Sequence, residues 1–408
     1  MKLTKLSAAT AISTVLGASA AFAECGIEEG RVAILSNDFP ALHAMAEGAM
    51  ECASDTVEVT ANQTTEHRDI QVAALTADPA QYTSAVVANS SIVPLLNEGL
   101  IRPLDDLIAE YAPDLPDGNK ITIDGQVMAI AFMANAQHLY VREDILEEVG
   151  ADVPTTYDEV LDVLEQIREA GIMEHPFAMN TASGWNLGEE FVNMYIGMGG
   201  QFFEPGSAAP AINNETGVAA LEMLAALNEY ADPDFLTFDS NATQALWESG
   251  DLALAYMWGS RGGGILDAEN STPEVVENTV LVAAPTVMGG EVPASTLWWD
   301  GFTIAANISD EDAAATFQAL MHGLRPEVIA ANNEDAVWLM EGYEPTAAGA
   351  GVAATAQAGA RPYPMLPYIG LMHTALGNEL AQFMQGEESA EQALADVEAA
   401  YISAGQEQ

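Results

Sequence analysis

Chemistry needs particular side chains at particular spacings, and few such arrangements occur along these 408 residues. The six histidines, His43, His67, His138, His175, His322 and His373, never fall into H-E-x-x-H or any close ligand spacing. Each reads as a packing or surface residue, and no metal is expected. The turn Trp258-Gly259-Ser260-Arg261-Gly262 has the outline of a nucleophile elbow, but a tryptophan stands where the first glycine is required. Gly262-Gly263-Gly264 lacks the Lys-Ser/Thr that completes a phosphate loop, so a flexible turn is the expectation. The acids form no EF-hand loop. Carboxylate pairs suited to glycoside hydrolysis carry no information, because 61 Asp and Glu guarantee chance pairs. No residue is singled out as catalytic, no cofactor is expected, and an enzyme is not the expectation.

The informative residues are aromatic, amide and guanidinium. Trp185, Trp258, Trp298 and Trp299 sit beside Gly, Asn or Asp in turn-like contexts, whereas Trp247 and Trp338, at helical spacing with apolar neighbours, read as core residues. Sugars present apolar C–H faces and hydroxyls, so their sites combine flat rings with Asn, Asp and Gln. In an extended segment Trp298 and Trp299 face opposite ways, so one of the two meets a ligand. Arg261 and Arg361 stand out because Lys and Arg number only 11. A guanidinium in a cleft clamps phosphate, sulfonate or carboxylate, and its bland alternative is an ion pair with a neighbouring acid.

The formal charge of -50 excludes nucleic acid and anionic membrane surfaces as partners. The N-terminus reads as a secretory leader over residues 1–23. Lys2 and Lys5 precede an apolar stretch through Ala11, Ile12, Val15 and Leu16, and Ala21-Phe22-Ala23 supplies the cleavage pattern. That stretch is shorter than the roughly 20 residues a membrane span needs. Export to the periplasm is therefore expected. The two cysteines, Cys25 and Cys52, suit a structural disulfide in an oxidising compartment, with two buried thiols as the alternative.

Elements that could position such residues alternate in type. The apolar runs Val32–Leu35, Val57–Val59 and Ala85–Val87 read as strands separated by helical stretches, which is an α/β pattern. Each of the first and third runs ends in a polar turn, Ser36-Asn37-Asp38 and Asn89-Ser90-Ser91. Capping patterns at Thr156/Glu159, Ser309/Asp312 and Ser389/Gln392 each open a helix with an apolar face of three- and four-residue spacing.

Asn97–Asp106, Ile123–Gln126, Leu139–Asp144, Pro154–Glu159, Gly199–Phe203 and Glu248–Leu254, taken in order, resemble segments of the extracellular solute-binding proteins of ABC transporters, in the sugar-binding group typified by maltose-binding protein. Asn97-Glu98-Gly99-Leu100-Ile101-Arg102-Pro103-Leu104-Asp105-Asp106 is similar to the family's "G-L-L-x-P-L-D" segment. Ile123-Asp124-Gly125-Gln126 and Leu139-Tyr140-Val141-Arg142-Glu143-Asp144 resemble "D-G-K … L-Y-Y-N-K-D". Pro154–Glu159 looks like "P-x-T-W-D-E". Gly199-Gly200-Gln201-Phe202-Phe203 and Glu248–Leu254 match the "N-G-G-x-x-F" and "F-x-x-G-K-A-A-M" elements. Arg361-Pro362 and the helix over Ser389–Tyr401 are similar to the family's ending.

The resemblance implies a type II two-lobe binding protein with hinge strands. Residues 24–133 and 286–330 would form one lobe, and 134–285 and 331–408 the other, with crossings near Ile130–Ala134, Val282–Pro285 and Arg325–Asp335. Carried over position by position, the cleft residues would be Asn37, Asp38, Asn89, Ser90, Asn135, Gln137, Trp185, Trp258, Arg261, Trp299, Asp300, Arg361 and Tyr363. The implied role is a monomeric periplasmic subunit that captures a mono- or oligosaccharide or polyol and delivers it to the permease of an ABC importer. Within that fold the alternative ligands are an anionic polyol ester such as glycerol 3-phosphate, a sulfonated sugar, or a polyamine. The alternative from another class is a secreted glycan hydrolase. Ile369-Gly370-Leu371-Met372 replaces an aromatic platform of the maltose site, and Arg261 replaces a tryptophan, so the pattern departs from a maltodextrin site.

The acids are spread over helix starts and loops, so they repel one another over the whole surface and are relieved by screening. The melting temperature is expected to rise with salt, with unfolding on dilution into low salt. Thermal melts that stay flat from low to high ionic strength would count against this.

Overall fold

The computed structural model describes residues 25–287 and 289–406. The expected leader at 1–23 lies outside the described residues. Among the described residues twelve strands form two sheets: β1 (Gly30–Ser36), β2 (Val57–Gln63), β3 (Ser84–Ala88), β4 (Lys120–Ile123), β5 (Gln126–Asn135), β6 (Gln137–Arg142), β7 (Phe177–Met179), β8 (Leu254–Trp258), β9 (Thr279–Val282), β10 (Thr296–Phe302), β11 (Val337–Trp338) and β12 (Arg361–Pro362). The larger sheet runs β11-β5-β10-β3-β1-β2, with β4 beside β5 and β12 beside β10. The smaller runs β7-β8-β6-β9.

The apolar run Val32–Leu35 is buried because β1 lies inside the sheet, parallel to both β2 and β3. β2, at the edge, alternates between buried or half-buried and exposed positions along most of its length. Helices Pro40–Met50 and Asp310–Gly323 cover this sheet at close range. A Cβ on Gly323 would run into the Met45 carbonyl oxygen, and one on Gly48 would stand 2.9 Å from the Gly323 Cα. The three capping patterns all open helices. Thr156 accepts from the Glu159 N–H while Glu159 reaches back, Ser309 accepts from Asp312 at 3.0 Å, and Ser389 accepts from Gln392 at 3.3 Å.

Each sheet has its own apolar core. Val32, Ile34, Leu42, Phe132, Phe302, Phe317 and Trp338 belong to the first. Leu139, Tyr157, Phe177, Phe191, Tyr256, Leu376 and Leu394 belong to the second. Trp247 fills a smaller cluster behind the second sheet with Tyr140 and Met257. Trp338 is buried too, though on the short strand β11 rather than a helix.

The chain leaves the first core between Met133 and Leu139, where β5 runs almost directly into β6. It returns along β10, with Trp298 in the second core and Phe302 in the first. It departs again after Tyr343, which still packs on the first core. The two later passages fall beyond Val282–Pro285 and Arg325–Asp335, where the resemblance placed them. The physical reason is side-chain burial: Ala284, Val287 and Ala294 fill the second core, while Ala336 and Trp338 fill the first.

Cys25 and Cys52 form a disulfide that ties the start of the described chain to the end of helix Pro40–Met50. It closes a loop spanning 27 residues in sequence. Loop-closure entropy puts its contribution at about 3 kcal/mol. Cys25→Ser with Cys52→Ser should lower the unfolding free energy by about that amount in denaturant titrations, and equal midpoints would overturn the estimate.

Candidate functional site

A cavity of about 270 Å³ opens between the two cores. The first core supplies its lining from the ends of parallel strands. Asn37, Asp38 and Phe39 follow β1, Thr65, His67 and Arg68 follow β2, and Ala88 ends β3. This is where ligands bind in open α/β sheets, because strand ends and helix starts leave polar groups facing one crevice. The second core supplies Trp185 and Asn186 at the start of helix Trp185–Gly197, Asp239–Asn241 at the start of helix Ser240–Ser249, and Trp258, Ser260 and Arg261 after β8. Asn135, Trp298 and Asp300 come from the connecting strands.

Those connecting strands fix several positions at once. β5 and β10 pair antiparallel with Asn135 opposite Trp298 and Met133 opposite Asp300. The Asn135 amide oxygen accepts from the Ala136 and Ser260 N–H groups at 3.0 and 3.2 Å, and its nitrogen donates to the Ser260 hydroxyl at 3.2 Å. It thereby ties the strand end to the loop after β8. Tyr140 donates to the Trp258 carbonyl at 2.8 Å and holds the same loop from behind.

Three tryptophans converge. Trp185 and Trp258 lie 6.3 Å apart with planes 25° apart, and Trp298 meets both edge-on at 5.7 Å. His373 stacks on Trp185 at 4.8 Å and 14°. Its Nε2–H donates to the Trp185 carbonyl at 2.9 Å, and its Nδ1 accepts from the Tyr363 hydroxyl at 2.8 Å. That arrangement needs neutral imidazole, and burial pulls the His373 pKa down to about 4. The Trp298 indole N–H donates to Thr296 at 2.8 Å and to Glu189 at 3.2 Å.

Glu189 and Glu190 are fully buried behind this aromatic cluster. Burial pushes Glu189 up to about 8, against the opposing pull of Thr296 and Trp298, and pushes Glu190 well above the carboxylate range. Asp300, at the cavity, is raised by burial to about 7, with Arg68 opposing. The Arg68 guanidinium carbon lies 4.2 Å from the Trp185 ring centroid.

Seven of the residues picked from sequence line this cavity: Asn37, Asp38, Asn135, Trp185, Trp258, Arg261 and Asp300. Six do not. Asn89 staples β3 to β10, donating to the Leu297 carbonyl and accepting from the Trp299 N–H at 2.9 Å. Ser90 lies just beyond the lining residue Ala88. Gln137 is buried against Asn193 at 3.3 Å. Trp299 packs on the first core, and its neighbour Trp298 takes the cavity face, since alternate strand residues point oppositely. Arg361 is exposed on β12, and Tyr363 is buried behind the cavity. Sequence reasoning missed Phe39, Thr65, His67, Arg68, Ala88, Asn186, Asp239–Asn241 and Ser260, and of the two adjacent tryptophans it picked Trp299 where Trp298 lines the cavity. For Arg68 the available signal was its place just after the second parallel strand, in a chain with few basic residues.

Two lobes, each with its own sheet, joined through β5/β6 and β10 and meeting at a polar aromatic cleft, make the type II periplasmic binding-protein fold. Residues 35–321 match the family described as bacterial extracellular solute-binding protein. The chain belongs to that family. A solute-binding protein of Agrobacterium radiobacter in complex with ribitol superposes with a TM-score of 0.79 at 19% identity, covering 91% of this chain and 97% of that one. One from Agrobacterium vitis with bound D-mannitol gives 0.76 at 16% identity, covering 93% and 99%. The mannitol-binding protein of Pseudomonas aeruginosa is 22% identical over 228 residues, 54% of this chain and 51% of that protein. The matches to curated relatives span about half of their length or less.

Between the ordinary carboxylate range and about 8, an unfolded chain has released the Glu189 proton and the folded chain has kept it. Stability therefore falls as pH rises across that window. Glu189→Gln keeps an acceptor oxygen for Thr296 and Trp298 and cannot ionise. Its stability should decline less steeply between about pH 5 and 8 than the wild type's, by on the order of 1 kcal/mol per pH unit. Parallel profiles in thermal or urea melts would show that the folded protein already carries the charge.

Proposed function

We propose that the protein is the periplasmic substrate-binding subunit of an ABC importer, capturing a sugar or polyol between its lobes and delivering it to the membrane permease. The observation that carries this is the cavity itself: three tryptophans meeting at 5.7 to 6.3 Å beside Asn, Asp and Arg side chains contributed from both lobes. Flat rings take the C–H faces of a sugar or polyol while amides, carboxylates and guanidiniums take its hydroxyls. A ligand that touches both lobes does so only when they are closed, so binding draws the population to the closed form. Such a state offers a permease a shape that the open protein lacks. The ligand-bound relatives, with ribitol and D-mannitol, support the same class of solute. Export through a leader at residues 1–23 places the protein where an importer needs it, and action as a monomer that returns its ligand unchanged completes the reading.

Thermal-shift screening against monosaccharides, disaccharides, alditols, polyol phosphates and polyamines tests the assignment. A captured ligand stabilises by RT ln(1 + [L]/Kd) and is recovered intact. Turnover of a glycan, or stabilisation by none of the sugars and polyols, would sink it. Trp258→Ala should weaken the stabilising ligand by roughly tenfold or more while the ligand-free variant still melts cooperatively.

A further inference from the structure

Arg68 narrows the ligand class, and this step rests on the solute-capture reading above. The residue lies in the first helix after β2, on the first lobe, yet its guanidinium covers Trp185 on the second, 4.2 Å from the ring centroid. Among the described residues no acceptor meets its buried Nε. Asp300 is its leading charged neighbour, and Arg68 is the one charge that acts appreciably on Asp300. Both line the cavity, so they present it with a planar fork of N–H donors and a pair of acceptor oxygens.

We propose that Arg68 and Asp300 are the specificity pair of the cleft, reading neighbouring hydroxyls of a single neutral polyol or monosaccharide, with Arg68 also barring a second sugar unit by occupying the face of Trp185. A hydroxyl both donates and accepts. Adjacent hydroxyls can therefore satisfy the Asp300 carboxyl and the guanidinium together, the latter through a charge-assisted bond. Successive sugar units need successive free aromatic faces. Trp185 is already covered by Arg68 and by His373, stacked at 4.8 Å, which leaves Trp258 as the platform for one unit. The cavity, about 270 Å³, suits one unit as well, lying just below the usual range for ligand pockets. Neutrality follows from the charges on the walls. Arg68 has Asp300 as its leading charged neighbour, while Arg261 bonds to Gln244 at 3.3 Å and has Asp239, Glu248 and Asp38 in its field. An anion would therefore meet three carboxyls, Asp38, Asp239 and Asp300, against two guanidiniums on the cavity wall.

Calorimetric titration of the wild type, Arg68→Ala, Arg68→Lys and Asp300→Asn with ribitol, D-mannitol, D-glucose, maltose and glycerol 3-phosphate decides the matter. The wild type should bind at least one of the three single-unit neutral ligands more tightly than maltose or the phosphate ester. Asp300→Asn and Arg68→Lys should each weaken that ligand by roughly tenfold to a hundredfold, the worth of a charge-assisted hydrogen bond. Arg68→Ala should do the same and also narrow its preference over maltose, because the Trp185 face is freed. That change of ratio is a readout that general loosening of the fold would not produce, and Arg68→Lys covers the case in which Arg68→Ala does not fold. Tighter binding of maltose or of the phosphate ester by the wild type would overturn this proposal while leaving solute capture intact. An unchanged affinity in Arg68→Lys and Asp300→Asn would overturn it too. If none of the five ligands binds, this proposal is overturned, and the solute-capture reading falls only if the wider thermal-shift screen is empty as well.

Discussion

The antiparallel ladder between β5 and β10 is the constraint on which the site depends. Phe302 and Ile130, paired near one end, lie in the first core, and the Asn135–Trp298 pair at the other end reaches the second. One register thereby sets the relative position of the two lobes and of three cavity residues. Asn135 and Trp298 face each other across it, and Asp300 lies two residues further on. A one-residue slip would turn Trp298 away and bring Trp299 to the cavity. The Asn89 staple, with its bonds to Leu297 and Trp299 on β10, pins that register from the neighbouring strand β3.

Behind the cavity the protein keeps its acids neutral, and on its surface it keeps them charged. Glu189 is buried with the indole of Trp298 and the hydroxyl of Thr296, where desolvation outweighs the hydrogen bonds it accepts, and its neighbour Glu190 is buried as fully. A neutral carboxyl there orients the Trp298 ring without burying a charge. The basic residues are divided as sparingly. Arg102, Lys120, Arg142 and Arg325 pair with acids, and Arg31 and Arg168 cap backbone carbonyls. Arg68 and Arg261 go to the cavity. In a chain of formal charge -50, their placement is a local exception to the field of the whole molecule.

Legibility followed the range of the interaction. Helices opened by Thr156, Ser309 and Ser389 were readable because a cap and its partner lie three residues apart. Residues after strand ends, such as Asn37 and Asp38, were readable because α/β sheets gather their ligands there. Tyr363 and Asn89 lie outside the cavity lining for a shared reason. Their polar groups are satisfied by partners distant in sequence or on another strand, His373 and the β10 backbone, and no local pattern announces such a bond. Arg361 lies outside the lining as well, since scarcity marks a residue as notable without saying which way it points.

From the sequence alone followed the α/β class, the kinship with solute-binding proteins, the Cys25–Cys52 candidate pair and the aromatic, amide and acidic character of the site. All of these depend on residue type and short-range spacing. Tertiary structure decided which of Trp298 and Trp299 meets the cavity, where the chain passes between lobes, and that Arg68 reaches across to Trp185. Those depend on strand register, on which core each side chain fills, and on contacts between residues more than a hundred positions apart, as with Arg68 and Trp185.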